Sequence, residues 1–197
     1  MSHTLALSLC ATTTNFSISI FEMENLNKIV TYHNTKLQIV GYLLAILQDL
    51  MTRYSLSFSN IHHLITCNGP GMFTSIRAGV AALQGIGLVN KIPVYGIDAM
   101  PALAFKYSTD YPHNQDNFID VVYRISNCSL YFERFDHSLI SRLPLCRLKN
   151  NKYLKHEKFN SVGNIKECTY EIELDSEVIM HHFVATKSRE VNIIYTY

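Results

Sequence analysis

Residues 64–96 constrain the fold of this chain more than any other stretch, because a strand, a Gly-Pro-Gly turn, a helix and a second strand follow one another there without a pause. Leu64, Ile65, Thr66 and Cys67 form an apolar run too brief for a helix, and they read as a buried strand. Asn68, Gly69, Pro70 and Gly71 end it, since proline lacks a backbone donor and the two glycines permit dihedrals that other residues avoid. Thr74 or Ser75 is expected to cap a helix running to about Asn90. Lys91, Ile92 and Pro93 then break it before Val94, Tyr95, Gly96 and Ile97 make the next strand. A unit of this order predicts a parallel pair joined by a right-handed crossover.

The helix is distinguished by what it lacks. Between residues 73 and 89 the clearly polar side chains are Thr74, Ser75, Arg77 and Gln84, while Ala78, Gly79, Ala81, Ala82, Gly85 and Gly87 give it a small-residue surface. A surface helix usually carries one apolar stripe and a charged opposite face. This one is expected to be covered on both sides, with Phe73, Ile76, Val80 and Leu83 toward the sheet and Ala78, Ala82 and Gly85 open to a second helix. A glycine within a helix costs about 1 kcal/mol relative to alanine, so three of them point to close packing. Burial inside one chain and contact with a partner both satisfy that pattern.

The ordered run Gly69-Pro70-Gly71-Met72-Phe73-Thr74-Ser75-Ile76-Arg77-Ala78-Gly79-Val80-Ala81, followed by Gly85 and by Ile92-Pro93-Val94-Tyr95-Gly96-Ile97, resembles the TsaB (YeaZ) family. Members of that family carry Gly-Pro-Gly-Ser-Phe-Thr-Gly-Leu-Arg here, so Met72 and Ser75 are mild departures. The resemblance covers residues 4–105 well and the remainder weakly. It implies an α/β ribonuclease-H-like or actin-like ATPase fold (ASKHA): a mixed sheet with flanking helices and a second, shortened lobe. Residues 1–105 are expected to form the N-terminal lobe and 106–197 a smaller, diverged one.

The rest of the chain fits that order. Residues 4–9 read as a buried first strand, 15–21 alternate as a half-buried strand should, and 25–32 give a third. A first helix is expected over 36–54, with Val40, Leu43, Leu44, Leu47, Leu50, Met51 and Tyr54 at helical spacing and Ile39, Tyr42 and Ile46 widening the apolar face. Residues 106–117 read as a polar connector. Strands are expected at 118–123 and 129–135, with shorter candidates at 170–174 and 191–195. Arg124 stands where the family has Asp, and Tyr131 keeps the family's residue.

Composition narrows the chemistry. The 197 residues, 48% of them hydrophobic, suffice for a substantial core. Seventeen basic against sixteen acidic side chains leave a net charge of +1, which gives no general drive toward nucleic acid or an anionic membrane. Five widely spaced cysteines, Cys10, Cys67, Cys128, Cys146 and Cys168, suit buried thiols in a reducing cytoplasm. The sequence gives no signal of a secretory leader or a spanning segment, so a soluble cytoplasmic protein is expected.

Catalytic patterns are sparse. Ser8 stands where relatives commonly retain the Asp that organises metal and water in actin-like ATPases, and a hydroxyl cannot supply that charge. The turn at Gly69, Pro70 and Gly71, with Thr74 behind it, could offer amides to an anion. No Lys follows, so it is not a P-loop, and a structural turn is the alternative. Arg77 could face such an anion, pair across an interface or be solvated. The His-x-x-x-His of the family's catalytic paralogue is missing, because no two of the nine histidines lie four apart. His62-His63 and His181-His182 are adjacent and, on strands, would point to opposite faces. Cys67 is expected to be a core thiol.

The resemblance implies a non-catalytic subunit that joins a TsaD-like catalytic threonylcarbamoyltransferase, with a TsaE-like P-loop ATPase as a further partner, and supports threonylcarbamoyladenosine modification of tRNA next to the anticodon. ATP, metal and threonylcarbamoyl-adenylate are expected on partner subunits and no cofactor in this chain. The expected interface is Leu43, Leu47, Leu50, Ala78, Ala82 and Gly85, with Phe73 and Arg77 bracing the loop. A nucleotide-dependent phosphotransferase of the same fold and a homodimeric structural protein remain as alternatives.

Overall fold

The computed structural model describes residues 4–13, 16–34, 39–114, 117–126, 129–148, 161–166 and 168–186. The chain divides into two units, Met1–Ile97 with Asp175–Tyr197, and Asp98–Leu174.

The first unit opens with the expected meander: β1 (Leu5–Cys10), β2 (Phe16–Glu22) and β3 (Asn27–Asn34), paired antiparallel. After α1 (Ile39–Arg53) and a short 3-10 turn (Phe58–Asn60), β4 (Ile61–Gly69) pairs parallel with β1. Next come α2 (Phe73–Asn90) and β5 (Val94–Asp98), and the sheet order is β3-β2-β1-β4-β5. Strand alternation sorts the side chains by face. Leu5, Leu7, Leu9, Phe16, Ile18, Ile20 and Leu64 point one way and pack with Leu43, Leu47, Leu50, Met51 and Leu83 of the two helices in a single core cluster. At about 2 kcal/mol for each fully buried Leu or Ile, this cluster is the main source of the unit's stability.

Two details of α2 differ from expectation. Neither Thr74 nor Ser75 caps it: the N-cap is Met72, whose side chain makes no capping bond, and Phe73 is already helical. The helix stops where expected, with Lys91 in the left-handed conformation at φ 56° and Ile92 N–H donating back to the Gly87 carbonyl at 2.9 Å.

The second unit begins with α3 (Ala99–Asp110), which runs straight through the expected boundary at 105/106. Ala99, Met100, Ala102, Leu103, Ala104 and Tyr107 are buried along it, and Pro101 sits in the first turn, where a missing N–H costs nothing. The residues that looked like the start of a polar connector are its outer surface, where Lys106 and Asp110 pair at 2.6 Å one helical turn apart. The unit's sheet contains β6 (Ile119–Ser126), β7 (Ser129–Phe135), β8 (Ser141–Leu148), β9 (Ser161–Gly163) and β10 (Tyr170–Glu171) in the order β10-β9-β6-β7-β8. The strand expected over 170–174 shrinks to two residues, and the one at 191–195 lies outside the described residues. Buried Asp120 receives a bidentate pair from Arg134, at 2.5 and 2.7 Å.

The chain then returns to the first unit as α4 (Ser176–Thr186), which the sequence reading did not anticipate. It packs on β1, β2 and β4, covering the face opposite α1 and α2. His181 and His182 therefore lie on a helix rather than a strand, with His181 exposed beside the Phe21 ring and His182 buried. Among the described residues, no helix is long and apolar enough to cross a membrane. Cys10, Cys67 and Cys168 are buried thiols as expected, Cys146 is exposed, and Cys128 lies outside the described residues.

Candidate functional site: a helix-pair face beside a closed turn

α1 and α2 lie against each other and bury only their inner sides. Leu43, Leu47 and Leu50, expected at a partner surface, are 3, 1 and 6% exposed and belong to the core, so they cannot meet a neighbour. Their helical period points at the unit's own sheet. The same geometry turns other residues outward. On α2, Phe73, Arg77, Ala81, Gly85 and Leu88 are exposed and recur about once per turn, forming one stripe. On α1, Tyr42, Leu44 and Ala45 are exposed. Exposure reaches 62% at Leu44 and 83% at Leu88, high for large apolar side chains. Ala78 is half-buried, and Ala82 is half-buried against the core. Of the expected interface set, Phe73, Arg77 and Gly85 are thus the exposed members.

The expected sheet-facing set on α2 is right for Ile76, Val80 and Leu83 and wrong for Phe73, which is 54% exposed. Its ring lies under the Arg77 guanidinium, 3.5 Å from the centroid, a cation-π pair that stiffens the exposed first turn. The glycines of α2 divide by environment. A Cβ at Gly87 would lie 2.7 Å from the Ile92 carbonyl oxygen, whereas one at Gly85 would meet nothing within 4 Å. Gly85 is therefore unexplained by packing within this chain.

Beside the helix pair, the Gly69-Pro70-Gly71 turn is shut rather than cupped. The Gly69-Pro70 peptide is cis and Gly69 has φ 117°, a conformation that side chains rarely adopt. Gly71 lies so close to the loop after β1 that a Cβ would come within 2.7 Å of the Thr12 carbonyl oxygen. Met72 N–H, at the helix N-cap, donates to that same carbonyl at 2.6 Å. The Met72 amide is thus already engaged rather than open to an anion. Thr74 is exposed at the helix start, with no capping role.

On the opposite sheet face the chain has a ladder of hydroxyls. Ser8 is fully buried, and its Oγ donates to the Ser176 carbonyl at 2.8 Å. Ser17 Oγ accepts the Ser176 N–H at 2.8 Å, and Ser19 Oγ lies 2.7 Å from Ser176 Oγ and 2.8 Å from Thr31 Oγ1. Thr31 continues the ladder to Glu177, which Lys28 also contacts at 3.0 Å. Burial would raise the Glu177 carboxyl, but the bonds from Thr31 and Lys28 and the Lys28 charge outweigh it, and the group sits below the ordinary carboxylate range. Further along this face His63 lies between Tyr95 and Phe183, with ring centroids 5.7 and 6.0 Å away. Burial, then the neighbouring His62, lowers the His63 pKa, and burial lowers that of His182. Among the described residues no group of three or more His, Cys, Asp or Glu side chains is placed to hold a metal. Cys67 is a buried strand residue, as expected for a core thiol.

Comparison with known proteins adds one family model, two curated relatives and two solved structures. Residues 38–121 match the family model described as TsaD, tRNA N6-adenosine threonylcarbamoyltransferase. The chain is similar to the tRNA threonylcarbamoyladenosine biosynthesis protein TsaB of Escherichia coli K12, 32% identical over 62 residues, which cover 32% of this chain and 27% of that protein. It is also similar to TsaB of Buchnera aphidicola from Schizaphis graminum, 27% identical over 82 residues, covering 42% of this chain and 39% of the relative. The matched segment thus spans well under half the length of these curated relatives. Among solved structures, a Pseudomonas aeruginosa protein described as similar to peptidase YEAZ superposes with a TM-score of 0.67 at 15% identity, over 97% of this chain and 95% of that one. YeaZ from Pseudomonas aeruginosa gives 0.67 at 14% identity, over 93% of each chain. At these identities the superpositions establish a shared fold.

Proposed function

We propose that this chain, which is similar to TsaB proteins over part of its length, is a TsaB (YeaZ) family member acting as a non-catalytic subunit that docks a TsaD-like catalytic protein and so supports threonylcarbamoyladenosine formation on tRNA. The observation that carries the proposal is the outer face of α1 and α2. It presents Tyr42, Leu44, Phe73, Leu88 and the small residues Ala81 and Gly85 exposed, with the Arg77 guanidinium lying over the Phe73 ring. Small residues let helices approach closely, large apolar ones supply the buried area, and a docked helix pair uses both.

The non-catalytic assignment draws support from two local arrangements. The Ser8 hydroxyl is committed to the Ser176 carbonyl, and the Met72 amide to the Thr12 carbonyl. ATP, metal and threonylcarbamoyl-adenylate then belong to partner subunits, a TsaE-like P-loop ATPase among them, and tRNA is reached through the assembly in the cytoplasm.

The test is co-purification with a TsaD-type subunit. Gly85→Arg and Leu88→Glu place charge on the outer stripe without touching the core, and each is expected to abolish recovery of the partner while the circular dichroism spectrum stays unchanged. Recovery equal to that of the unaltered protein would remove the stripe from the interface. Mass measurement of the chain alone distinguishes a second copy on the same face.

A further inference from the structure

The first unit holds two cysteines, Cys10 and Cys67, and its sheet sets them side by side. β1 and β4 run parallel with Ser8 opposite Ile65 and Leu9 opposite Thr66, so the next step of the ladder brings Cys10 opposite Cys67, both within their strands. The two segments stay together beyond that step. Met72 N–H donates to the Thr12 carbonyl at 2.6 Å, and a Cβ at Gly71 would come within 2.9 Å of the Thr12 Cα. The face is fixed as well. Leu9 and Ala11, on either side of Cys10, belong to the core cluster under α1 and α2, as does Leu64, three residues before Cys67. Alternation therefore turns both thiols to the other face, the one that α4 covers.

Paired strands lie about 4.8 Å apart, and a disulfide needs Cα atoms roughly 4.4–6.8 Å apart with side chains on one face. Two cysteines opposite each other on β1 and β4 meet both conditions. Each is a reduced thiol, 2% exposed. Cys10 Sγ also lies 3.8 Å from Thr12 Oγ1, a weak contact for a thiol, and bonding between the sulfurs would replace it. Cys10 leads within two residues to Thr12 and Cys67 within four to Gly71, so a bond between them would tie the two strand ends at the base of the closed turn that starts α2. Exposed Cys146 and buried Cys168 belong to the second unit.

We propose that Cys10 and Cys67 form a redox couple, a dithiol that hydrogen peroxide closes to a disulfide across the ends of β1 and β4. One thiol attacks the peroxide O–O bond and becomes a sulfenic acid, releasing one water. The second thiol then displaces the sulfenic oxygen as another water and the S–S bond forms. Two electrons pass from the sulfurs to the peroxide, and a thiol reductant returns them. Burial excludes bulky reagents and makes the reaction slow, so the couple answers sustained oxidant. The proposal stands independently of the docking role.

The test uses the full chain with Cys146→Ser, which removes the exposed thiol. The native protein is treated with hydrogen peroxide, capped with iodoacetamide and cut with trypsin. The expected product is residues 1–28 joined to residues 54–77, separated again by dithiothreitol. In the native protein this pairing is expected to exceed every other cysteine pairing by about tenfold, a preference lost when the same oxidation is run in urea. Amide hydrogen exchange over residues 67–76 is expected to slow in the oxidised form and to recover on reduction. Thiols that stay reduced, sulfinic or sulfonic acid at Cys10 or Cys67 in place of the joined peptides, equal pairing with Cys128 or Cys168, or unchanged exchange in the joined form would each overturn the proposal.

Discussion

Ser8 and Ser176 are 168 residues apart in sequence and joined by a 2.8 Å hydrogen bond from the Ser8 hydroxyl to the Ser176 carbonyl, inside a ladder of hydroxyls of which Ser8, Ser17, Ser19 and Ser176 are buried. Ser8, where the resemblance implies a carboxylate in relatives, is here part of the seat of the final described helix. Ser8→Asp would bury a negative charge against a carbonyl oxygen, at a cost of several kcal/mol. Ser8→Ala removes one hydrogen bond and strands a carbonyl, costing about 1–2 kcal/mol. Urea unfolding of the two variants is expected to rank them in that order, with Ser8→Asp losing the helical signal of α4 first.

Gly71 and Gly85 give opposite expectations for the same substitution. A methyl at Gly71 meets the Thr12 backbone and the Ile76 side chain at 2.7 Å, so Gly71→Ala is expected to destabilise by about 2 kcal/mol. A methyl at Gly85 meets nothing, and Gly85→Ala is expected to stabilise the isolated chain by up to about 1 kcal/mol. Thermal unfolding of each variant against the unaltered protein reads both signs.

The stability of the first unit is expected to fall on mild acidification. His63 and His182 have folded pKa values below the unfolded value of about 6.5, so below that pH the unfolded chain binds protons that the folded one resists. Stability is therefore complete above about pH 6.5 and is lost as pH falls toward the depressed folded values. Glu177, with its own pKa lowered, loses its contribution in a separate window, below the ordinary carboxylate pKa of about 4.3. Thermal midpoints measured from pH 8 to pH 5 should decline, and His63→Phe with His182→Leu should flatten the decline. An unchanged slope in that double variant would assign the effect elsewhere.

Asp120 and Arg134 test the second unit. Asp120→Ala leaves a partly buried guanidinium without its bidentate partner and is expected to cost about 3 kcal/mol. Replacing both by leucine should recover most of that loss, because neither strand then holds an unpaired charge. Differential scanning calorimetry of the single and double variants decides between these outcomes.

Much of the first unit was legible in the sequence because its signals are local. The Gly-Pro-Gly turn, the strand periods and the Lys91-Ile92-Pro93 stop each act within a few residues, and each stands near its expected place. What failed was directional. Leu43, Leu47 and Leu50 are as apolar as a docking surface requires, and only the register of α1 on its sheet shows that they face inward. Leu44 and Leu88, which do face outward, look the same on the page. Long-range pairing was equally hidden. Nothing near Ser8 announces that a helix from 168 residues away will seat on it, and α4 carries apolar residues too evenly to display a single stripe. The Lys106 and Asp110 charges suggested a linker because an ion pair on the exterior of a buried helix has the composition of a loop.

The return of α4 to the first unit also sets a schedule for synthesis. A ribosome releasing this chain completes all five strands of the first sheet, then must emit the whole Asp98–Leu174 unit before the segment that shields Ser8, Ser17 and Ser19 emerges. Until then the nascent sheet has one finished side and one bare side, so a stalled or prematurely terminated product would carry its hydroxyl-lined face uncovered to the cell's quality control.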